Sequence, residues 1–278
     1  MYSLKINTFN SPGRSYHYKR NTNNITFGQA ANTISKQQIV SLTNKYIRDF
    51  SAEAAQYKEE GSGILQPEQV PLQILQSIAS DALAKMQNFP KNHKLYIVTG
   101  RIGGGKSAFV EQNDFHKMFY APDADEIKLL LPGYSEYGSS YVHKVSCTIN
   151  SSNISEALKR GIDTIIQTAT TIDNIDDIVE EARDQKYKDI VLIHIDTNEE
   201  TAIKRALLRG ELTGRKIDPN EIIARKYIDM IVPAYKTPLR GLSQIVVYDN
   251  NGSAPVKVED VDLTSPPQEL SYVTESDD

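Results

Sequence analysis

Leu95-Tyr96-Ile97-Val98-Thr99-Gly100-Arg101-Ile102-Gly103-Gly104-Gly105-Lys106-Ser107 is the stretch on which the reading of this chain turns. Leu95 to Thr99 is an apolar run of strand length. The eight residues Gly100 to Ser107 then have the Gly-x-x-x-x-Gly-Lys-Ser spacing of a phosphate-binding loop. Each part has a physical task. The glycines let backbone N–H groups close around phosphate oxygens. Lys106 is expected to reach the β- and γ-phosphates of a nucleotide, and the Ser107 hydroxyl to ligate Mg²⁺. Gly100, Arg101, Ile102, Gly103, Gly104, Gly105, Lys106 and Ser107 are therefore the expected nucleotide contacts, with ATP and Mg²⁺ the implied cofactors. An incidental glycine-rich turn would not require a strand before it and a helical pattern after it, and both are here.

Outward from the loop the pattern alternates. Met118–Ala121 is a short strand candidate. A helix is expected over about 154–160, a strand over 163–167, a helix over 173–186 and a strand over 190–195. Helices follow at 199–209 and 220–231, and Gln244–Tyr248 is the last strand. Alternating strands and helices predict an α/β fold, a mostly parallel sheet flanked by helices. Before the loop, Ser35 with Gln38 has the spacing of a capping box. Ile39, Leu42, Tyr46, Ile47 and Phe50 then make one apolar face. Pro71 opens a second amphipathic helix. Three regions result: an N-terminal arm and helical extension (1–90), the loop-bearing domain (91–252), and an acidic tail (253–278). The tail is too rich in Pro, Ser and acid to bury much apolar surface, so disorder is expected there.

Composition limits the function classes. A net charge of −5 argues against electrostatic binding of long nucleic acid. No apolar run approaches the ~20 residues that span a membrane, and the N-terminus lacks a secretory signal pattern. With the single cysteine Cys147, a reducing compartment is the default. The ends are opposite in sign. The first fifty residues hold Lys5, Arg14, Lys19, Arg20, Lys36, Lys45 and Arg48 against Asp49. Such ends read as solvated tails, or as a docking or targeting arm.

The loop alone says nucleotide, not reaction. Asp196, closing the strand 190–195, reads either as an acidic Mg²⁺ ligand or as the N-cap of the helix after it. The remainder is more specific. Asp123-Ala124-Asp125-Glu126-Ile127-Lys128 follows a strand candidate, His143 comes next, and Arg209-Gly210-Glu211-Leu212-Thr213-Gly214-Arg215 comes late. In this order the segments resemble the zeta toxin family of P-loop kinases, over about residues 94–250. The resemblance implies transfer of a phosphoryl group from ATP to a sugar hydroxyl, usually of UDP-N-acetylglucosamine, by a toxin or effector. It implies that Asp125 is the catalytic base, that Lys106, Arg209 and Arg215 act on the phosphates, and that Lys128, His143 and Gln167 lie on the acceptor side. The chemistry agrees, since a hydroxyl nucleophile needs a carboxylate to take its proton and guanidinium donors suit the transferring phosphoryl group. Against this, Asp123 and Asp125 also suit a helix N-terminus, Lys128 and Arg205 suit a helix surface, and His143 suits a structural role.

Departures from the family fall on the acceptor side. Lys144 and Val145 follow His143, where the family places a glutamate. Gln167-Thr168-Ala169-Thr170-Thr171 replaces a glutamate, Gly-Thr and an arginine. The expectation is a kinase whose acceptor differs or has shifted. A kinase of nucleotides, NAD or polynucleotide ends and a non-catalytic nucleotide-binding regulator are the alternatives. The residues before the loop's strand cover the acceptor site, bind an inhibitor or antitoxin, or carry a translocation signal. The expected location is the cytoplasm, or a host cell reached by a non-classical secretion route.

Overall fold

The computed structural model describes residues 35–59, 64–213, 219–224, 226–235 and 241–264. Before the sheet come helices α1 (Lys36–Glu59) and α2 (Leu72–Met86). The capping box forms as its spacing dictates. Gln38 N–H donates to Ser35 Oγ at 3.3 Å and Ser35 N–H to Gln38 Oε1 at 2.9 Å. Pro71 stands at the N-cap of α2, where its missing N–H costs nothing.

Strands β1 (Lys94–Gly100), β2 (Thr164–Thr168), β3 (Asp189–Asp196), β4 (Gln244–Asp249) and β5 (Val256–Asp262) form one sheet in the order β2-β1-β3-β4-β5. The first three junctions are parallel and the last is antiparallel. Alternate residues serve opposite faces. Leu95, Ile97, Ile190, Leu192, Ile245 and Val247 pack beneath α7 (Ser139–Lys159) and α8 (Ile172–Asp184), through Ile154, Leu158, Ile175 and Val179. Val98, Ile165, Val191, Ile193, Ile195 and Val246 face Phe109, Val110 and Phe119 on the other side. The core strands are buried on both faces, which is why their sequences are runs of Ile, Val and Leu.

Between β1 and β2 lie α3 (Lys106–Gln112), α4 (Phe115–Met118), α5 (Ala124–Lys128), α6 (Tyr134–Tyr137) and α7. Helix α9 (Glu199–Thr213) follows β3, and then come α10 (Pro219–Ala224) and α11 (Ile231–Tyr235). Several expectations change. Met118 closes a helical turn, and Tyr120 makes only a single parallel bridge, to Thr164. The helix expected at 154–160 is the end of 21-residue α7. Its Ser-, Thr- and Asn-rich start hid it, because those residues compete for backbone hydrogen bonds. Burial of Tyr141, Val142 and Val145 holds that start instead. The helix expected at 220–231 divides into α10, a 3₁₀ turn (Lys226–Met230) and α11. Order also continues past Gly252. Residues 256–262 add β5 to the open edge of β4, and this needs main-chain hydrogen bonds rather than the apolar burial on which the disorder expectation was built. The arm before residue 35 and the acidic end after residue 264 lie outside the described residues. Among the described residues no helix is long and apolar enough to cross a membrane.

Candidate nucleotide and acceptor site

The loop runs from the C-terminal end of β1 into α3. Gly100, Gly103 and Gly105 all have positive φ. At Gly103 close approach of backbone also demands glycine, and at Gly105 the Asn250 side chain takes the space a Cβ would need. A Cβ at 103 would stand 2.3 Å from Ala202 O, and one at 105 would stand 2.4 Å from Asn250 Nδ2. Lys106 Nζ donates to Gly100 O at 2.8 Å and to Arg101 O at 3.0 Å, so the ammonium lies over the loop. Ile102 packs toward Ala202, Ala206 and Ile222, and Ser107 is exposed.

Two residues that sequence reasoning passed over set the loop's shape. Thr197 Oγ1 and Asn250 Nδ2 both donate to Gly104 O, at 3.0 and 2.7 Å. Both follow directly on strand ends, the signal that would have found them. Asp196 is not the N-cap of α9. Asn198 is, its Oδ1 accepting from Thr201 N–H at 2.8 Å. Burial pushes the Asp196 carboxyl up, and the charges of Asp249 and Asp229 add to the effect. Asp196 thus keeps the reading of an acid at the strand end beside the loop.

Two guanidinium groups approach the loop, each 7% exposed. Arg101 is paired through Nη2 with Asp229, while its Nε and Nη1 are buried without a hydrogen-bond partner among the described residues. Arg205 donates through Nη2 to Gly252 O at 2.9 Å, and its Nε and Nη1 likewise find no partner among the described residues. A Cβ on Gly105 would be 3.8 Å from Arg205 Nη1, so this arginine borders the loop. Burial lowers its pKa. Arg209 is one turn further along α9, and Arg215 lies outside the described residues. Beneath the loop the sheet register pairs Thr99 with His194. Thr99 Oγ1 and His194 Nδ1 are also buried without partners among the described residues. Burial pushes the His194 pKa down to about 4; Asp229 opposes this, and Lys106 and Arg101 reinforce it. The imidazole is therefore neutral near pH 7.

In the segment expected on the acceptor side, Asp123 caps α5 by accepting from Asp125 N–H at 2.8 Å. Lys128 Nζ donates to Asp125 Oδ1 at 2.9 Å, with side-chain exposures of 11% and 35%. Burial lowers the Lys128 pKa, against the opposing influence of Cys147 and Asp123. Lys128 is thus buried rather than a solvated helix residue. Helix α5 packs on α7, which carries exposed His143 with its ring 3.7 Å from Cys147 Sγ. Gln167 is paired with Val98, placing it on the opposite sheet face from His194, and its Oε1 is buried without a partner among the described residues. The divergent positions serve local structure. Val145 is wholly buried in the core between α5 and α7. Lys144 donates to Gln66 Oε1 at 3.0 Å. Thr171 caps α8, and Thr170 accepts from Asn174 Nδ2 at 2.6 Å.

Residues 80–257 match the Zeta toxin family. The chain belongs to the zeta toxin family. No curated protein sequence matches it. Among solved structures, this zeta toxin family member is similar to the PezAT chromosomal toxin–antitoxin system of Streptococcus pneumoniae. The identity is 17% and the TM-score 0.53, over 70% of this chain and 83% of that one. It is also similar to AvrRxo1-ORF1:AvrRxo1-ORF2 crystallised with sulphate ions, at 14% identity and TM-score 0.52, over 69% and 68% of the two chains. The same complex with ATP gives 15% identity and TM-score 0.51, over 69% and 67%. At these identities the likeness is one of fold.

Proposed function

We propose that this chain is an ATP-dependent phosphotransferase that moves the γ-phosphoryl group to a hydroxyl of a small metabolite, a sugar nucleotide or another nucleotide, as a toxin or effector. The observation that carries this reading is the loop itself, with Lys106 lying over it and two buried guanidinium groups, Arg101 in the loop and Arg205 beside it, holding donors that no described residue uses. A buried cation with unmet donors costs free energy that an anionic ligand recovers. The ATP-bound structure of a fold relative supports ATP as the donor.

In the proposed reaction the acceptor oxygen bonds to the γ-phosphorus, the bond to the β,γ-bridging oxygen breaks, and ADP leaves. The acceptor proton passes to the Asp125 carboxylate, which Lys128 holds from one side. Lys106, Arg209 and Arg215 meet the charge on the transferring group. The Ser107 hydroxyl and the Asp196 carboxylate are the groups that would hold Mg²⁺, which supplies charge neutralisation at the phosphates. His143 and Gln167 are the proposed acceptor contacts. Because Val145, Lys144, Thr170 and Thr171 serve local structure, UDP-N-acetylglucosamine is expected to be a poor acceptor. The toxin–antitoxin origin of one fold relative supports a protein inhibitor as partner.

Incubation with ATP, Mg²⁺ and a metabolite extract, read by mass spectrometry, tests this. One species is expected to gain a phosphate with wild type and none with Lys106→Ala, and UDP-N-acetylglucosamine is expected to fall about a thousandfold below it in kcat/KM, equivalent to ~4 kcal/mol. Transfer by Lys106→Ala at the wild-type rate would refute the reading, and family-like use of UDP-N-acetylglucosamine would refute its acceptor half.

A further inference from the structure

Residues 36–59 precede the segment that matches the family, yet α1 lies against α9 and α10. Lys45 and Tyr46 both reach α9 from it. Tyr46 is wholly buried. Its hydroxyl has one proton to share between Leu207 O at 3.2 Å and Glu211 Oε1 at 3.0 Å. The same Glu211 oxygen accepts from Lys45 Nζ at 3.1 Å. Between those two acceptors sits Gly210. A Cβ there would stand 2.2 Å from the Tyr46 hydroxyl and 2.8 Å from its ring. Glycine is a poor residue inside a helix, and at this position its bare Cα makes the seat for the tyrosine.

The place of the contact matters. Leu207, Gly210 and Glu211 are interleaved with Arg205 and Arg209, and Arg215 follows shortly after in the chain. We propose that α1 is a strap that sets the position of the arginine-bearing turn of α9, with Tyr46 as its pin. Tyr46 is then a positioning residue, acting through α9 rather than on substrate. The Lys45–Glu211 pair is about half exposed and contributes little by itself, so the buried ring and hydroxyl carry the effect. Small misplacement of a group that meets the transferring phosphoryl lowers turnover steeply. The inference rests on the phosphotransferase reading above.

The test uses the full chain with Tyr46→Ala, Gly210→Ala, the double variant and Tyr46→Phe. Gly210→Ala improves the intrinsic helix propensity of α9 while driving a Cβ into the tyrosine. Steady-state kinetics and hydrogen exchange over 199–213 are measured together. Tyr46→Ala and Gly210→Ala are each expected to lower kcat about 10- to 100-fold with KM for ATP within about threefold. The double variant is expected to be no worse than either single one, and exchange over 207–213 to rise. Tyr46→Phe, which keeps the ring, is expected to fall between. Unchanged kcat in both single variants overturns the proposal, even if thermal stability drops. Should those variants fail to fold, unchanged kcat and exchange in Tyr46→Phe overturns it. If wild type transfers nothing, the phosphotransferase reading falls instead. The strap is then judged by exchange, full protection of 199–213 in Tyr46→Ala overturning it.

Discussion

At the scale of single residues, several of the polar atoms that are buried without partners among the described residues belong to the phosphate loop and to the strand ends beside it. Thr99 Oγ1 and His194 Nδ1 share a register position near the ends of β1 and β3, and the Nε and Nη1 of Arg101 belong to the loop that β1 leads into. Buried polar groups are normally bonded, to protein or to water, so these atoms are open to water or to a ligand. His194 carries a pH signature. Its pKa is pushed down to about 4 in the folded protein and is near 6.5 when unfolded. The unfolded chain therefore binds a proton first as pH falls. Stability is full above about pH 6.5, declines from there to about pH 4, and changes no further below it on account of this group, the loss amounting to about 3 kcal/mol. Denaturant melts from pH 7.5 to 4 are expected to show this decline, with a shallower one in His194→Asn. Parallel profiles for the two proteins would contradict the assignment.

At the scale of elements, α5 is five residues whose purpose is legible only with its neighbours. Asp123 caps it, Asp125 and Lys128 pair along it, and α7 packs against it. The pairing ties the Asp125 carboxylate to Lys128 while leaving its side chain 35% exposed. Asp125→Asn preserves that shape but cannot take a proton. It is expected to keep ATP affinity within about threefold while turnover falls about 10²- to 10⁴-fold, the usual range for general-base catalysis. ATP titration beside steady-state kinetics checks this. Weakened ATP binding with near-normal turnover would make Asp125 a structural or metal-side group.

At the scale of the whole molecule, β5 closes the sheet at β4 with an antiparallel ladder, although most of its side chains are exposed. Its contribution is main-chain pairing and protection of an edge. Truncation after Gly252 keeps the Arg205–Gly252 hydrogen bond but opens β4. The shortened chain is expected to lose about 1–3 kcal/mol, a drop of several degrees in Tm, and to aggregate sooner on heating. An unchanged melting curve would show that β5 adds nothing to the fold.

The α/β architecture, the strand before the loop and the Ser35 cap were legible in the sequence. All three are local. A phosphate loop needs its glycines, lysine and serine at fixed spacing, a parallel sheet buried on both faces needs unbroken apolar runs, and a capping box needs two residues three apart. Much of the site was not legible. Thr197 and Asn250 hold the loop from strands far away in sequence, and Arg205 and Arg101 are buried cations whose neighbours only folding supplies. The start of α7 is made of poor helix formers held by burial, and β5 is held by backbone pairing that composition cannot reveal. Arg209 and Gly210 stand out as a sequence motif, but only the tertiary structure shows a tyrosine from a distant helix seated on that glycine. The dividing line is contact range. Propensity and spacing act over a few neighbouring residues and are written in the chain, whereas a hydrogen bond or steric gap between residues far apart exists only once folding brings them together.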